Sequence, residues 1–341
     1  MTAVMIARGV LVLVMLSATA RASIWDHALA SREDVVAAKE YDDRMGDGDA
    51  AALICTLQST SVRTTLEALK RAEAAYRAAA AARPREAEPY FRIGNLLHQM
   101  HFDCELQSGR PATCDRLYAT PSRAEVVIEA WDEFERRAPL DPRVGDILLK
   151  RAILSTKAIN GGPGDRKHLE SAARDYQAAL DRSDGLAGQR GEEQLLGNLA
   201  ETYMMLDRLD DSIATYSRAI AIGAARVSTV YGLAVALDRD GSTDQAFRYI
   251  QGQGPGGFDA FTKEYMQHSV FFVPDGESNY YFALVNEAFG RDGAALEYWQ
   301  RYVASGAHPE FQPRAREHIE QLHKRRVRAT EPPPEPDDPF W

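Results

Sequence analysis

Cysteine and basic charge are both scarce in this chain. Its 341 residues include three cysteines, and 40 Lys and Arg stand against 50 Asp and Glu, so the formal net charge is −10. Binding to nucleic acid requires a basic surface, so this balance argues against nucleic acid as a partner. With 45% apolar and 26% charged residues, the composition is otherwise that of an ordinary soluble protein with a sizeable core.

The short motifs that mark common active sites are missing as well. The sequence contains no G-x-S-x-G, no H-E-x-x-H and no G-K-[ST]. Residues 252–257 match the letters of G-x-G-x-x-G, but Pro255 stands in the middle and a helical pattern precedes them, which indicates a loop and not a nucleotide site. We therefore expect no catalytic residues, no cofactor and no metal, and a protein that is not an enzyme.

The sequence also has no long apolar run, and the apolar run near the N-terminus is short. Arg8 precedes an apolar stretch over residues 10–16, and Ala20-Arg21-Ala22 forms a small-residue cleavage site. This pattern predicts a secretory signal peptide over residues 1–22, cleaved after Ala22. Its loss would leave 38 basic and 50 acidic residues, a net charge of −12. We expect an exported, periplasmic protein without membrane insertion after cleavage; a retained membrane tether is the alternative.

A spacing of 34 residues recurs within residues 193–260. In residues 193–226, apolar side chains recur at helical spacing in two halves, and a polar turn at 207–210 separates the halves. A fixed period of this size is typical of stacked repeat proteins, in which each unit buries its apolar face against its neighbours. The pairs of residues 34 apart are Leu199 and Leu233, Ala200 and Ala234, Ser212 and Ala246, and Tyr216 and Ile250.

This unit resembles the tetratricopeptide repeat, which has a large residue, Leu-Gly/Ala, Tyr, then Ala and an aromatic at fixed offsets. The resemblance covers about residues 60–320 and implies an all-α fold, a solenoid of helix-turn-helix repeats with a C-terminal capping helix. Further units are indicated by Tyr90, Ile93, Gly94 and Leu97 with Val127, Trp131 and Phe134, by Ala152 with Ala172, Tyr176 and Ala179, and by Phe282, Ala283, Ala295, Trp299 and Tyr302.

The repeats are irregular, and their interruptions define the expected organisation of the chain. The aromatic-rich stretch 258–281 fits either a hydrophobic ledge or inserted strand in a binding groove, or extra packing between two units. The expected segments are a signal peptide at 1–22, an N-terminal helical segment at 23–60, a solenoid at 61–323 with an insertion at 101–122 and a break at 252–275, and a basic helix end with a proline-rich, acidic, disordered tail at 324–341.

The three cysteines fit an exported protein. Cys104 and Cys114 bracket a turn-rich stretch of the insertion, where a disulfide would close the loop in an oxidising compartment. His98 and His101 stand nearby at a spacing that could also supply zinc ligands together with these cysteines. Cys55 remains, and its apolar neighbours predict a buried thiol.

The resemblance also implies where a partner binds. In the tetratricopeptide family the first helix of each unit lines the concave surface, which here gives a mixed apolar and polar groove suited to an extended peptide or a helix. The function this implies is a non-catalytic scaffold for a protein or peptide partner in a bacterial envelope assembly; the alternative is an enzyme or cell-wall or carbohydrate-processing factor built on a helical solenoid. The implied groove residues are Phe91, Asn95, His98, Gln99, Glu201, Met204, Met205, Tyr231, Val235, Asp238, Arg239, Tyr280, Leu284 and Glu287.

Overall fold

A computed structural model shows the described part of the chain to be mostly helical. Its described residues contain no strand. They are residues 29, 32, 34–57, 61–103, 121–156, 166–182, 188–223, 225–266 and 276–330.

Most helices are two to six turns long. A π-helical turn at Gln99–Asp103 follows α3, and a 3₁₀ turn at Pro309–Phe311 precedes α14. The helices are α1 (34–56), α2 (Val62–Ala82), α3 (Glu88–His98), α4 (Pro121–Arg137), α5 (Val144–Leu154), α6 (Arg166–Asp181), α7 (Gly188–Met205), α8 (Leu209–Ala221), α9 (Val227–Arg239), α10 (Thr243–Gly252), α11 (Pro255–Met266), α12 (Ser278–Ala288), α13 (Asp292–Ser305) and α14 (Gln312–Lys324).

The contacts divide the chain into two compact units. The first consists of Met1–Ala119 and Val126–Pro139, and the second of Thr120–Glu125 and Leu140–Trp341. None of the described helices is long and apolar enough to cross a membrane.

In the first unit, aromatic side chains hold the helices together. Tyr76 of α2 is buried against α1, where its hydroxyl donates to Asp49 at 2.7 Å. Between α3 and α4, the ring of Trp131 lies so close to Gly94 that a Cβ there would come within 2.4 Å of the indole. Cys55 is buried and its pKa is raised to about 11 by burial, so it is the unreactive thiol that its neighbours predicted.

In the second unit, α5–α6, α7–α8, α9–α10 and α12–α13 form successive helix-turn-helix pairs, as in a tetratricopeptide-like solenoid. The residues that recur 34 apart are buried alike: Ala200, Ala234, Ser212 and Ala246 are all fully buried. Tyr216 packs its ring over Gly232 of the following pair, as expected of a residue that joins neighbouring units. Tyr203 of α7 is half-buried under the Arg208 guanidinium, 4.3 Å from the ring centre.

The turns inside three pairs share one geometry. Asp207, Gly241 and Gly290 each have positive φ, at 59°, 89° and 70°. The next residue in each turn donates its N–H to the carbonyl five residues earlier, as Ser242 does to Leu237 at 2.8 Å. This is the Schellman arrangement, which satisfies the last carbonyls of the first helix. The repeat is therefore present in the backbone as well as in the side chains.

The break in the repeats contains an additional helix, α11, up to Met266 and not a strand. Phe261 of α11 is fully buried against Tyr231 of α9, with ring centres 5.1 Å apart, and is stacked on Tyr281 of α12 at 5.9 Å. This part of the segment provides extra packing between two pairs. Residues 267–275 lie outside the described residues.

Candidate functional site on the first helices

Equivalent positions on the first helix of each pair form what we call the first-helix face of the second unit. Each first helix has a buried alanine, and the face is made by the residue three before it and the residue one after it. The face consists of Leu149 and Ile153 of α5, Gly197 and Glu201 of α7, Tyr231 and Val235 of α9, and Tyr280 and Leu284 of α12.

The exposure of this face changes along the unit. The four positions on α5 and α7 are partly accessible. The four equivalent positions on α9 and α12 are at most 1% exposed. The same face is therefore open at α5 and α7 and closed at α9 and α12.

The C-terminal helix α14 is joined to α9 and α12, beside the closed part of the face, by a buried charge cluster. Asp238 and Glu287 each lie three residues before the turn glycine of their pair, so they are equivalent positions on α9 and α12. His318 of α14 lies between them: its Nε2 is 3.1 Å from both carboxylate oxygens of Asp238, and its Nδ1 is 2.9 Å from Oε2 of Glu287. Arg314 adds a second contact to Asp238 at 3.2 Å.

The charges in this cluster stabilise one another. Burial lowers the pKa of His318, but hydrogen bonds from the imidazole to Asp238 and Glu287, and the charges of both carboxylates, raise it to about 9. Burial would raise the pKa of Asp238, but His318 and Arg314 hold it well below its usual range. His318, Asp238 and Arg314 are therefore ionised at neutral pH.

Arg239, next to Asp238, forms a second buried pair. Its Nη2 donates to Oε1 of Glu277 at 2.6 Å, and both side chains have no exposed surface. The guanidinium lies between the rings of Tyr280 and Phe311, 4.4 and 4.1 Å from their centres. Burial opposes the charge of Arg239, but the Glu277 carboxylate raises the pKa of the guanidinium overall, so this pair is ionic.

Glu201 of α7 stands at the border between the open and closed parts. Its Oε2 accepts from the hydroxyls of Tyr216 at 2.7 Å and Tyr281 at 2.8 Å. Its Oε1 is buried with no hydrogen-bond partner. Burial and the nearby charge of Glu277 raise the pKa of Glu201, so its proton is held more tightly than on a free glutamate.

These arrangements are suited to holding helices together. Both ring nitrogens of His318 contact carboxylates, so neither is free to act as a base towards another molecule. Among the described residues, no group of three or more His, Cys, Asp and Glu is placed to hold a metal ion.

In the first unit, the predicted groove residues lie on α3 and the turn after it. Phe91, Asn95 and Gln99 are partly accessible, and Phe91 packs on the ring of Phe134 at 5.1 Å. His98 is buried against Trp131, with ring centres 5.1 Å apart.

The predicted disulfide and the alternative metal site involve Cys104 and Cys114, close in sequence to these residues. His101 is buried, but Cys104 and Cys114 lie outside the described residues. Both the disulfide and the alternative metal site therefore stay predictions.

In the second unit, the structure brings five of the predicted groove residues into one cluster: Glu201, Asp238, Arg239, Tyr280 and Glu287. Of these five, Glu201 is partly accessible and the other four are buried. Outside the cluster, Met205 is partly accessible and Met204 is fully buried. A partner-binding role for the predicted groove residues stays a prediction.

Sequence reasoning missed the residues that complete this cluster. Glu277 and Tyr281 belong to α12, and Arg314 and His318 belong to α14, which was expected to be a capping helix. The available signal was the pair of acids at equivalent positions, Asp238 and Glu287, since two neighbouring carboxylates on an apolar face require a cation.

No family model matches the chain, and no curated protein matches it. A match among solved structures is described as "Structure of Naa15/Naa10 bound to HypK-THB"; it is 14% identical, covers 77% of this chain and 46% of that chain, and has a TM-score of 0.27. The chain thus spans less than half the length of the chain it matches.

Proposed function

We propose that the chain is a non-catalytic scaffold that binds a protein segment along the open part of the first-helix face, on α5 and α7. The observation that carries this proposal is the change in exposure along the face. At α9, Tyr231 of this face already packs on Phe261 of the chain's own helix α11, with ring centres 5.1 Å apart. The face therefore accepts a helix at its closed part, and we infer that its open part accepts one from another protein.

The open part indicates the chemistry of the partner. Leu149, Ile153 and Met205 offer partly accessible apolar surface, which favours apolar side chains on the partner. Glu201 lies beside them, but its Oε2 is already held by Tyr216 and Tyr281 and its Oε1 is buried. A segment with two or three apolar anchors fits this surface.

The setting we propose is a bacterial envelope assembly reached by export. The support is the sequence of residues 1–22, with Arg8, the short apolar run and the cleavage pattern ending at Ala22. The excess of acidic residues supports a protein partner over nucleic acid.

The test is site-specific photocrosslinking in cells that express the full chain. A photoreactive residue at Met205 should crosslink to a partner, because this position borders the open part of the face. The matched control is Ala214, an exposed position on the second helix α8. Leu149→Glu should then remove the crosslink from position 205, since a charge would be placed where an apolar anchor binds. Equal crosslinking from both positions, or a crosslink that survives Leu149→Glu, would refute this surface.

One observation favours the enzymatic alternative, a cell-wall or carbohydrate-processing factor. Glu201 is a carboxyl group with a raised pKa, held in position by two tyrosine hydroxyls, which is a property of general acids. Glu201→Gln keeps the hydrogen bonds but removes the acid. Turnover of a cell-wall glycan that Glu201→Gln abolishes would favour the enzyme; crosslinking at Met205 that Glu201→Gln leaves intact would favour the scaffold.

A further inference from the structure

Charge, more than apolar surface, holds α14 to the rest of the second unit. The apolar residues that α14 contributes to the core are Ala315 and Leu322, with Ile319 partly buried. Against these stand three cations in ion pairs: Arg314 and His318 with Asp238, and Arg325, just after the helix, with Glu287 at 3.1 Å. A terminal helix anchored in this way can open with little loss of buried apolar surface.

His318 is the central contact because it joins two repeats at once. It bridges Asp238 on α9 and Glu287 on α12, and its ring is stacked on Trp299 of α13 with centres 4.5 Å apart. A neutral imidazole has one N–H, so it can donate to one of these carboxylates but must turn a lone pair towards the other. The bridge therefore requires the doubly protonated, cationic ring.

The Asp238 carboxylate that faces the ring has several other partners. Asp238 also accepts from the Tyr280 hydroxyl at 2.7 Å and the Thr243 hydroxyl at 2.6 Å, and it pairs with Arg314. These contacts hold the Asp238 carboxylate in its charged form.

The other carboxylate also has several partners. Glu287 accepts from Nε1 of Trp299 at 3.0 Å and pairs with Arg325, which also contacts Asp292 of α13 at 3.1 Å. Loss of the proton from His318 would remove the cation between the two carboxyl groups and turn the lone pair of the ring towards one of them.

We propose that α14 is a latch over Asp238 of α9 and Glu287 of α12: it stays shut while His318 is an imidazolium and opens, before the rest of the second unit unfolds, when His318 loses its proton. Opening would expose the Asp238 and Glu287 carboxylates on neighbouring first helices. The latch does not depend on which partner binds the open part of the face.

The direction of the pH dependence follows from the raised pKa. The pKa of His318 is about 9 in the folded chain and about 6.5 in an unfolded one. The stabilisation is therefore fully present below about pH 6.5 and is lost as the pH rises through about 9. The latch is expected to be shut at neutral and mildly acidic pH.

Hydrogen exchange of the full chain between pH 7 and 9.5, corrected for intrinsic exchange rates, tests this. Protection of the α14 amides should fall on the order of 50-fold. At pH 7 the proton on His318 favours the folded chain, with a pKa of about 9, over the unfolded one, with a pKa of about 6.5, and at pH 9.5 this preference is almost gone. Protection of α7 and α8 should not change. His318→Gln should remove the pH dependence and lower α14 protection at pH 7. His323→Gln, on the same helix at an exposed histidine, is the matched control and should behave as the unaltered chain.

Two results would overturn the latch. One is α14 protection that is constant over this pH range, and the other is loss of protection in α14 and α7 together. If His318→Gln fails to fold, NMR titration of the unaltered chain decides: His318 should titrate near pH 9. A His318 midpoint near 6.5 would contradict the bridge.

Discussion

The open and closed parts of the first-helix face consist of equivalent helix positions, but the side chains are partly accessible in the open part and buried in the closed part. At α5 the two positions are Leu149 and Ile153, both partly accessible, whereas at α12 they are Tyr280 and Leu284, both fully buried. At α9, Phe261 of the additional helix α11 lies against Tyr231. At α12, Trp299 and Tyr302 of α13 lie against Tyr280. The repeat sets where a side chain points, and the elements packed against it decide whether that direction is surface or core.

The two parts also differ in how far their ion pairs are buried. Arg239 and Glu277 at the closed part form an ion pair with no exposed surface. Near the open part, Arg218 and Glu192 form a pair that is largely in contact with water. A buried pair is costly to break because the remaining charge has no solvent, while an exposed pair is worth little.

The largest expected effect is therefore that of Arg239→Met. It removes the guanidinium from the buried Glu277 carboxylate, which keeps only the longer contact to His308 at 3.7 Å, and should lower the free energy of unfolding by about 3–5 kcal/mol. Chemical denaturation measures this. Arg218→Met is the control and should change stability by less than about 1 kcal/mol. The double variant Arg239→Met with Glu277→Gln should recover part of the loss. Equal effects of Arg239→Met and Arg218→Met would mean that the closed part is open to water.

Truncation of leucines at two equivalent positions gives the next largest difference. Leu284→Ala, at the fully buried position of α12, should cost about 2–5 kcal/mol through lost burial and a cavity. Leu149→Ala, at the partly accessible position of α5, should cost less than about 2 kcal/mol because less surface is buried there. Both are measured by denaturant unfolding. Similar costs would show that α5 is covered to the same extent as α12.

Two helical glycines sharpen the comparison further. A Cβ at Gly232 of α9 would lie 2.4 Å from the ring of Tyr216, so Gly232→Ala should destabilise by about 1–3 kcal/mol through overpacking. At Gly145 of α5 nothing lies within 4 Å, and Gly145→Ala should be neutral or stabilising by up to about 1 kcal/mol. Thermal unfolding separates the two outcomes. A stabilising Gly232→Ala would contradict the close approach of α8 and α9.

The smallest effect concerns the shared turn. Asp207 adopts a φ of 59°, where glycine stands in the equivalent turns, so Asp207→Gly should stabilise by about 0.5–1 kcal/mol. The reverse change, Gly241→Ala at a φ of 89°, should destabilise by about 1–2 kcal/mol. Melting temperatures of the two variants should move in opposite directions. Movement in the same direction would show that these turns are not equivalent.

The helices and their pairing could be predicted because the signal is local. Leu199 and Ala200 repeat at Leu233 and Ala234, and each of these residues is buried as the spacing requires. The polar turn expected from Asp207 to Asp210 is present, with α8 beginning at Leu209. A period of 3.6 residues and a short turn leave little freedom in how two such helices pack.

The site could be predicted only in part because its contacts are distant in sequence. Asp238 was expected in a groove, but its contact with His318 joins residues 80 apart. The family offsets identify the direction of a side chain on its own helix and contain no information about a later helix that covers it. Tyr281 was missed for the same reason, since its hydrogen bond to Glu201 also spans 80 residues.

The sequence by itself determined the helix-turn-helix repeat, through apolar spacing in each helix and a turn geometry that recurs from pair to pair. Only the tertiary structure decided which part of the first-helix face stays open and that Asp238, Glu287 and His318 form one buried ion cluster. The physical reason is that burial of a charge depends on every element packed around it, whereas helix formation depends on neighbours within one or two turns.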